Sequence, residues 1–284
     1  MSPMVARWEL MLRINSRAEE RGEKPTGLSR QVDVTQQYWS KLVKGRGVLT
    51  EQKLTALVKL LEFDEDERRE LLALRDVAKG RNPFAEYSAL FNEQLMRFYD
   101  LEAGAQSIRS FESIAIPGLL QIEDHARALM KAVVSTGRPT EVEQRVSARL
   151  RRQRRLEGPD PLELSVVIGQ AALMYNVGGD EVRARQLRHL ISMAERCPDT
   201  LDIRIVPFEQ GTAMVGLNAA TFHLLDFYSA RLPAMGWTES AEYFEVVDDP
   251  KRVTALDYLF NQIRSTALDR EQSLGLIKRV ADHS

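Results

Sequence analysis

The chain of 284 residues carries 39 Lys and Arg against 41 Asp and Glu, a formal net charge of -2, and 44% of its residues are hydrophobic. These totals exclude a polycation and support a packed core, and Cys197 as the sole cysteine excludes an intrachain disulfide. The sequence shows no apolar run of signal-peptide or membrane-span length, so a cytosolic protein with no membrane association is expected.

A first helix is expected from about Val5 to Arg21, with Val5, Trp8, Leu12 and Ala18 as its apolar stripe and Gly22 as its stop. A short second helix follows Pro25 and Thr26 and carries Leu28 and Val32. Asp33 then stands where a tight turn needs a residue that tolerates the left-handed region, and Thr35 is suited to cap the next helix. That third helix, QQYWSKLVK, stops at Gly45 and Gly47. Thr50 is expected to cap a fourth helix with Leu54, Leu57, Val58 and Leu61 on one side. Asp64 heads a fifth, DEDERRELLALRDVAKG, with acids at its start and bases at its end as the helix dipole favours.

Charge is unevenly spread over this region. From Met1 to Val48 nine bases (Arg7, Arg13, Arg17, Arg21, Lys24, Arg30, Lys41, Lys44, Arg46) face five acids (Glu9, Glu19, Glu20, Glu23, Asp33), about +4. Two helices joined by a tight turn, the second polar outside and apolar inside, make a helix-turn-helix. Gln37, Lys41 and Lys44 stack on one face of the third helix, with Ser40 and Gln36 beside them, while Trp39 and Leu42 point the other way. Gln pairs with adenine and Lys with guanine at base edges in the major groove of double-stranded DNA, and the first turn of such a helix lies closest to those edges. Gln36, Gln37, Ser40 and Lys41 are therefore the expected base-reading residues. Thr26, Arg30, Thr35, Tyr38, Lys44 and Arg46 are the expected phosphate contacts. LSRQVDVTQQYWSKLVKGRG resembles the Cro and repressor, or XRE, type of helix-turn-helix, and its TQQ is similar to the start of the recognition helix in some lambdoid phage repressors. It departs from that pattern at Asp33, where Gly is common, and at Val43, where an acid is common.

GRNPF, Gly80 to Phe84, interrupts helices and divides the chain into domains 1–80 and 81–284. Beyond it, helical periodicity marks about Glu86–Ala105, Gln121–Val134, Thr140–Leu156, Gly179–Arg196, Asp249–Ser265 and Asp269–Ala281. Between these lie the strand-like runs SIRSFES, LELSVVI, LDIRIVPF, ATFHLLDF and LPAMGWT. The expected fold class is α+β: an all-helical N-terminal helix-turn-helix domain followed by a larger mixed α/β domain with a small sheet.

YDLEAGAQSIRSFESIAIPGLLQIEDHARALM, Tyr99 to Met130, resembles the core motif of a group of actinobacterial regulators described as WhiJ-like or antitoxin-like. In these an XRE domain precedes a domain of about 200 residues whose activity is undefined. QRVSARLRRQRRL, QLRHLISMAE, IRIVPFEQG and DDPKRVTALDYLFNQIRSTALDREQSLGLI extend the resemblance over essentially the whole chain. It implies transcriptional regulation.

Glu102, Arg109 and Glu112 are ionisable residues amid apolar ones. They are read first as a buried paired network, and alternatively as a partner or ligand region. The arginines 145, 149, 151, 152, 154 and 155 are read as a solvated face. Gly178, Gly179 and Asp180 are read as a loop and cap, because they lack phosphate-loop spacing.

Catalysis finds little support: the histidines at 125, 189, 223 and 283 form no HxxxH or HExxH, and no GxSxG occurs. The expectation is a non-enzymatic, dimeric transcription regulator with no cofactor or metal, nucleoid-associated when on its operator. Its C-terminal domain would serve dimerisation, a small-molecule effector or a partner protein. The competing expectation is an antitoxin-like protein that sequesters a small partner and represses its own operon. A third has the GLNAATFHLLDF and LPAMGWTES segments walling a metabolite pocket.

Overall fold

The structure is a computed structural model that describes residues 1–133, 139–210, 220–240 and 243–283. Its chain forms two compact units. One comprises Met1–Ala85 with Asp100–Gly104 and Phe227–Leu232; the other comprises Glu86–Tyr99, Ala105–Asp226 and Pro233–Ser284.

The first unit is built on five helices: α1 (Pro3–Glu20), α2 (Pro25–Gln31), α3 (Gln36–Val43), α4 (Glu51–Leu60) and α5 (Glu65–Ala78). Each start has a local cause. Ser2 Oγ accepts from the Val5 amide at 3.3 Å and donates to the Asp100 carbonyl at 2.9 Å, so one hydroxyl both caps α1 and ties it to a later segment of the same unit. Thr50 caps α4, and Asp64 with Glu67 forms a reciprocal capping box on α5. The core joins Leu10, Met11 and Ile14 of α1 to Leu28, Trp39, Leu42, Leu54, Leu57 and Leu71. Here the expected stripe of α1 is corrected: Trp8 and Leu12 are only half-buried, and the inward positions are Leu10, Met11 and Ile14. Trp8 instead meets Phe227 edge-on, with ring centroids 5.4 Å apart.

In the second unit the described residues form a six-stranded mixed sheet of order β3-β2-β1-β4-β5-β6. The strands are β1 (Ser107–Glu112), β2 (Glu163–Gly169), β3 (Leu201–Val206), β4 (Thr221–Asp226), β5 (Met235–Glu239) and β6 (Phe244–Val247). β1, β2 and β3 run parallel, and β4, β5 and β6 extend the sheet antiparallel. The parallel pairs require crossovers. β1 returns to β2 through α7 (Glu123–Val133) and α8 (Pro139–Gln153), and β2 to β3 through α9 (Ala171–Met174) and α10 (Asp180–Arg196). α11 (Pro250–Thr266) buries Val253, Phe260 and Ile263 against Phe111, Phe222 and Leu224 of the sheet, and α12 (Arg270–Asp282) packs on β3.

Two sequence expectations change here. The helix expected over Glu86–Ala105 is a short 3-10 turn at Ala85–Tyr87 followed by α6 (Glu93–Gly104). The break arises because Asn92 Oδ1 accepts from the Leu95 amide at 2.9 Å and starts a new helix. β6 was not anticipated, since its four residues FEVV, two of them only half-buried, are too few to show an alternation. Val134, expected to end α7, lies outside the described residues.

Within the first unit, Asp100 Oδ2 accepts from Asn82 Nδ2 at 2.7 Å. Burial pushes the Asp100 carboxyl up to about 7, against the opposing charge of Arg7. Its folded pKa thus exceeds its unfolded value, so the stabilisation is complete below about pH 4 and is lost as pH rises through about 7. Asp100→Asn keeps an acceptor for Asn82 without the charge. It is expected to raise the unfolding midpoint by about 2–4 °C at pH 8 and to have a smaller effect at pH 5, which thermal melts at the two pH values will check.

Candidate nucleic-acid interface

α2 and α3 are joined by a turn whose backbone the sequence dictates. Asp33 adopts φ 50°, in the left-handed region, and its carbonyl accepts from Lys53 Nζ on α4. The Val34 amide donates back to the Ser29 carbonyl at 2.8 Å, and Thr35 Oγ1 accepts from the Tyr38 amide at 3.2 Å as the cap of α3. Behind the helix Trp39 and Leu42 are buried at 3% and 0% exposure, which fixes its rotation about its axis. Outside it Gln36, Gln37, Tyr38, Ser40, Lys41 and Lys44 are exposed. The helix ends where Gly45 takes φ 70°, and the following loop is held by Arg75, whose Nε donates to the Leu49 carbonyl at 2.9 Å.

Two of the expected contact residues have their donors engaged within the protein. Gln36 Nε2 donates to Ser29 Oγ, which in turn donates to the Thr26 carbonyl at 3.2 Å, so Gln36 braces α3 against α2. The Tyr38 hydroxyl donates to the Val48 carbonyl at 3.1 Å and anchors the loop after α3. Gln37, Ser40 and Lys41 form no hydrogen bond or ion pair through their side chains with described residues. Thr26, Arg30, Thr35, Lys44 and Arg46 are exposed around them.

The basic excess of the first 48 residues is sorted by the fold. Arg13 pairs with Glu70 at 2.9 Å, and Arg17 and Arg21 pair with Glu67 and Glu62, each at 2.5 Å. Arg7 donates to the carbonyls of Ala78 and Gly80. These arginines of α1 and the residue after it serve the unit's own packing. Lys24, Arg30, Lys41 and Lys44 are exposed and carry no ion pair among the described residues, so the uncompensated charge lies on and around α2 and α3.

The second unit corrects two readings. Arg109 and Glu112 sit three residues apart on β1 and face opposite sides of the sheet, so they do not form a network. Arg109 reaches Asp226 at 3.2 Å and Asp257 of α11, over the Phe260 ring, whereas Glu112 Oε2 accepts from Thr221 Oγ1 at 2.9 Å. Glu102 is buried in the first unit.

The arginine run is not a solvated face throughout. Arg151 and Arg154 look outward, Arg151 pairing with Glu86, but Arg152 is 8% exposed and desolvation pulls the Arg149 pKa down. The signal was present in the spacing: Val142, Val146, Arg149 and Gln153 form one helical stripe, which places Arg149 inward. Of the GLNAATFHLLDF and LPAMGWTES segments, residues 216–219 lie outside the described residues, and the rest form β4 and β5. No group of three His, Cys, Asp or Glu among the described residues is placed to hold a metal ion, and no described helix is long and apolar enough to cross a membrane.

This geometry accords with a family match: residues 10–71 fit the family described as a helix-turn-helix domain. The N-terminal unit therefore defines the class as a helix-turn-helix protein, which points to DNA binding and transcription regulation. Residues 95–279, more than half of the chain, fit the family described as a domain of unknown function (DUF5753), and the chain belongs to that family. No curated protein and no solved structure matches it.

Because the Thr35 hydroxyl caps the start of α3, Thr35→Ala is expected to cost about 1 kcal/mol of stability in the first unit. Urea unfolding followed by fluorescence of a Trp8→Phe, Trp237→Phe background, in which Trp39 is the remaining tryptophan, measures it; an unchanged midpoint would show that the turn at Asp33 holds the helix start unaided.

Proposed function

We propose that the protein is a sequence-specific DNA-binding transcription regulator that acts as a homodimer and reads the major groove with α3. The observation that carries this reading is the exposed face of Gln37, Ser40, Lys41 and Lys44, opposite the buried Trp39 and Leu42 and directly after a capped tight turn. In this reading Gln37, Ser40 and Lys41 address base edges. Gln36 contributes its remaining amide oxygen while its nitrogen holds Ser29. Arg30, Thr26, Thr35, Lys44 and Arg46 address phosphates, which set register and affinity without reading sequence. Tyr38 supports the loop rather than the backbone of the DNA, because its proton is committed to Val48.

The dimer follows from affinity. One small module buries about 600–1,000 Å² on DNA, whereas two copies reach half-sites about 34 Å apart on one side of the duplex. The second unit, with its mixed sheet and buried polar groups, is then the part that senses an effector or a partner protein. Uncompensated bases on and around α2 and α3 suit a protein whose whole charge is -2, since they draw DNA to that face.

Selection of sites from random duplexes with the purified protein, followed by titration of the best site, tests this. A two-fold-symmetric site is expected. Gln37→Ala should weaken its binding by about 1–3 kcal/mol and relax the preference at one base pair. Lys44→Ala should weaken all sequences alike and reduce the salt slope by about 1. If Gln37→Ala bound the selected site as tightly and selectively as the parent, α3 would not be the reading helix.

A further inference from the structure

A cavity of about 320 Å³ opens in the second unit where α9, α10 and the end of α12 meet, lined by Met174, Arg183, Arg279, Val280 and His283. Its size lies within the range of about 300–1,000 Å³ typical of small-molecule sites. The chain brings these residues together in two steps. Gly178 and Gly179 take φ 79° and 92°, values that favour glycine, and turn the chain from α9 into α10, so that Met174 and Arg183 reach one cavity. α12 packs on both helices; its last turn supplies Arg279 and Val280, and His283 follows as its cap.

The lining combines two chemistries. Met174 and Val280 are apolar, and Met174 is left 46% exposed, so a hydrocarbon laid against it would remove apolar surface from water. Arg183 and Arg279 are cationic, and the His283 ring is held beside them by Nδ1, which donates to the Arg279 carbonyl at 2.7 Å. No Asp or Glu lines the cavity.

Neither guanidinium forms an ion pair or a hydrogen bond with a described residue, and the acids nearest in sequence are turned elsewhere. Asp180 Oδ1 accepts from Asn176 Nδ2 at 2.8 Å, Glu181 reaches Arg185 at 4.0 Å, and Asp282, three residues after Arg279, is exposed and does not pair with it. Arg183 Nε is buried without a hydrogen-bond partner among the described residues, a donor that costs free energy until an acceptor reaches it. The helix dipole accounts for Arg279 and His283, since cations are favoured at the C-terminal end of α12. It does not account for Arg183, which closes the first turn of α10, at the positive end of that helix. A guanidinium fork fits the paired oxygens of a carboxylate or phosphate.

We propose that this cavity binds an amphipathic anion, a small molecule in which a carboxylate or phosphate head is joined to a short apolar chain. Arg183 and Arg279 hold the head, and Met174 and Val280 take the chain. The site deepens the effector half of the function proposed above and rests on that reading for its biological consequence, whereas binding itself is measured without DNA.

The experiment is isothermal titration of the full chain at pH 7 with octanoate, with octyl phosphate and with acetate, which has the head but no chain. Saturable binding of one equivalent is expected for octanoate or octyl phosphate, the tighter of the two identifying the head, and acetate should bind at least severalfold more weakly. The double change Arg183→Gln, Arg279→Gln should weaken binding by about tenfold or more. Arg188→Gln, which removes an exposed arginine of α10 outside the cavity, leaves it unchanged. Met174→Glu places an acid at a solvent-exposed position of the lining and should abolish binding, which decides the matter if the double variant does not fold. No saturable heat with either long-chain anion overturns the site. Acetate binding as tightly as octanoate and octyl phosphate does so too, as does parental affinity in the folded double variant or in Met174→Glu. Since DNA is absent, such a failure leaves the α3 reading standing, and a Gln37→Ala protein that still read its operator would leave the cavity site standing.

Discussion

Burial of Trp39 and Leu42 is the constraint on which the first unit's interface depends. Both residues sit on one side of an eight-residue helix, and their removal from water sets the helix rotation to within a fraction of a turn. A helix this short has little stability alone, so its position comes from the core it joins and from the bonds at its ends. The left-handed Asp33, the Thr35 cap and the Gln36–Ser29 brace fix where α3 starts; Tyr38, Gly45 and Arg75 fix how the chain leaves it. With both ends and one face committed, what remains outside is a short polar surface.

The same economy of charge shapes the rest of the unit. The pairs Arg13–Glu70, Arg17–Glu67 and Arg21–Glu62 join α1 and the residue after it to α5 and the turn before it. Exposed pairs of this kind contribute little each. Their consequence is distributional: Arg13, Arg17 and Arg21 are paired with acids, while Lys24, Arg30, Lys41 and Lys44, on and around α2 and α3, carry no ion pair among the described residues. The second unit treats arginine differently. Arg109 is compensated by two aspartates on one face of the sheet, whereas Arg149 and Arg152 are drawn under the other face, where desolvation lowers the Arg149 pKa.

Much of the fold was legible from local signals. The helix starts at Thr35, Thr50, Asp64, Asp249 and Asp269 lie at capping residues, and α4 buries the four apolar residues its periodicity named. β1 to β5 lie in apolar runs bounded by polar segments. The failures are equally local in origin. Asn92 interrupts a periodic stretch by offering its own side chain to the backbone, and β6 is too short to display a period. In α1 several apolar registers compete, and the core chose the one containing Leu10, Met11 and Ile14.

The sequence alone determined the two-part organisation of α then mixed α/β elements, the tight turn before α3 and the division of α3 into an apolar and a polar face, because these follow from the spacing and backbone preferences of neighbouring residues. Tertiary structure decided which polar groups are already spent. Gln36, Tyr38, Arg13 and Arg17 look available in the chain and are engaged by Ser29, Val48 and acids up to some 57 residues away, as with Arg13 and Glu70. It also decided that Arg109 and Glu112 part company across the sheet and that Arg149 turns inward. A residue's partners are set by which distant segments pack against it, and no local pattern carries that information.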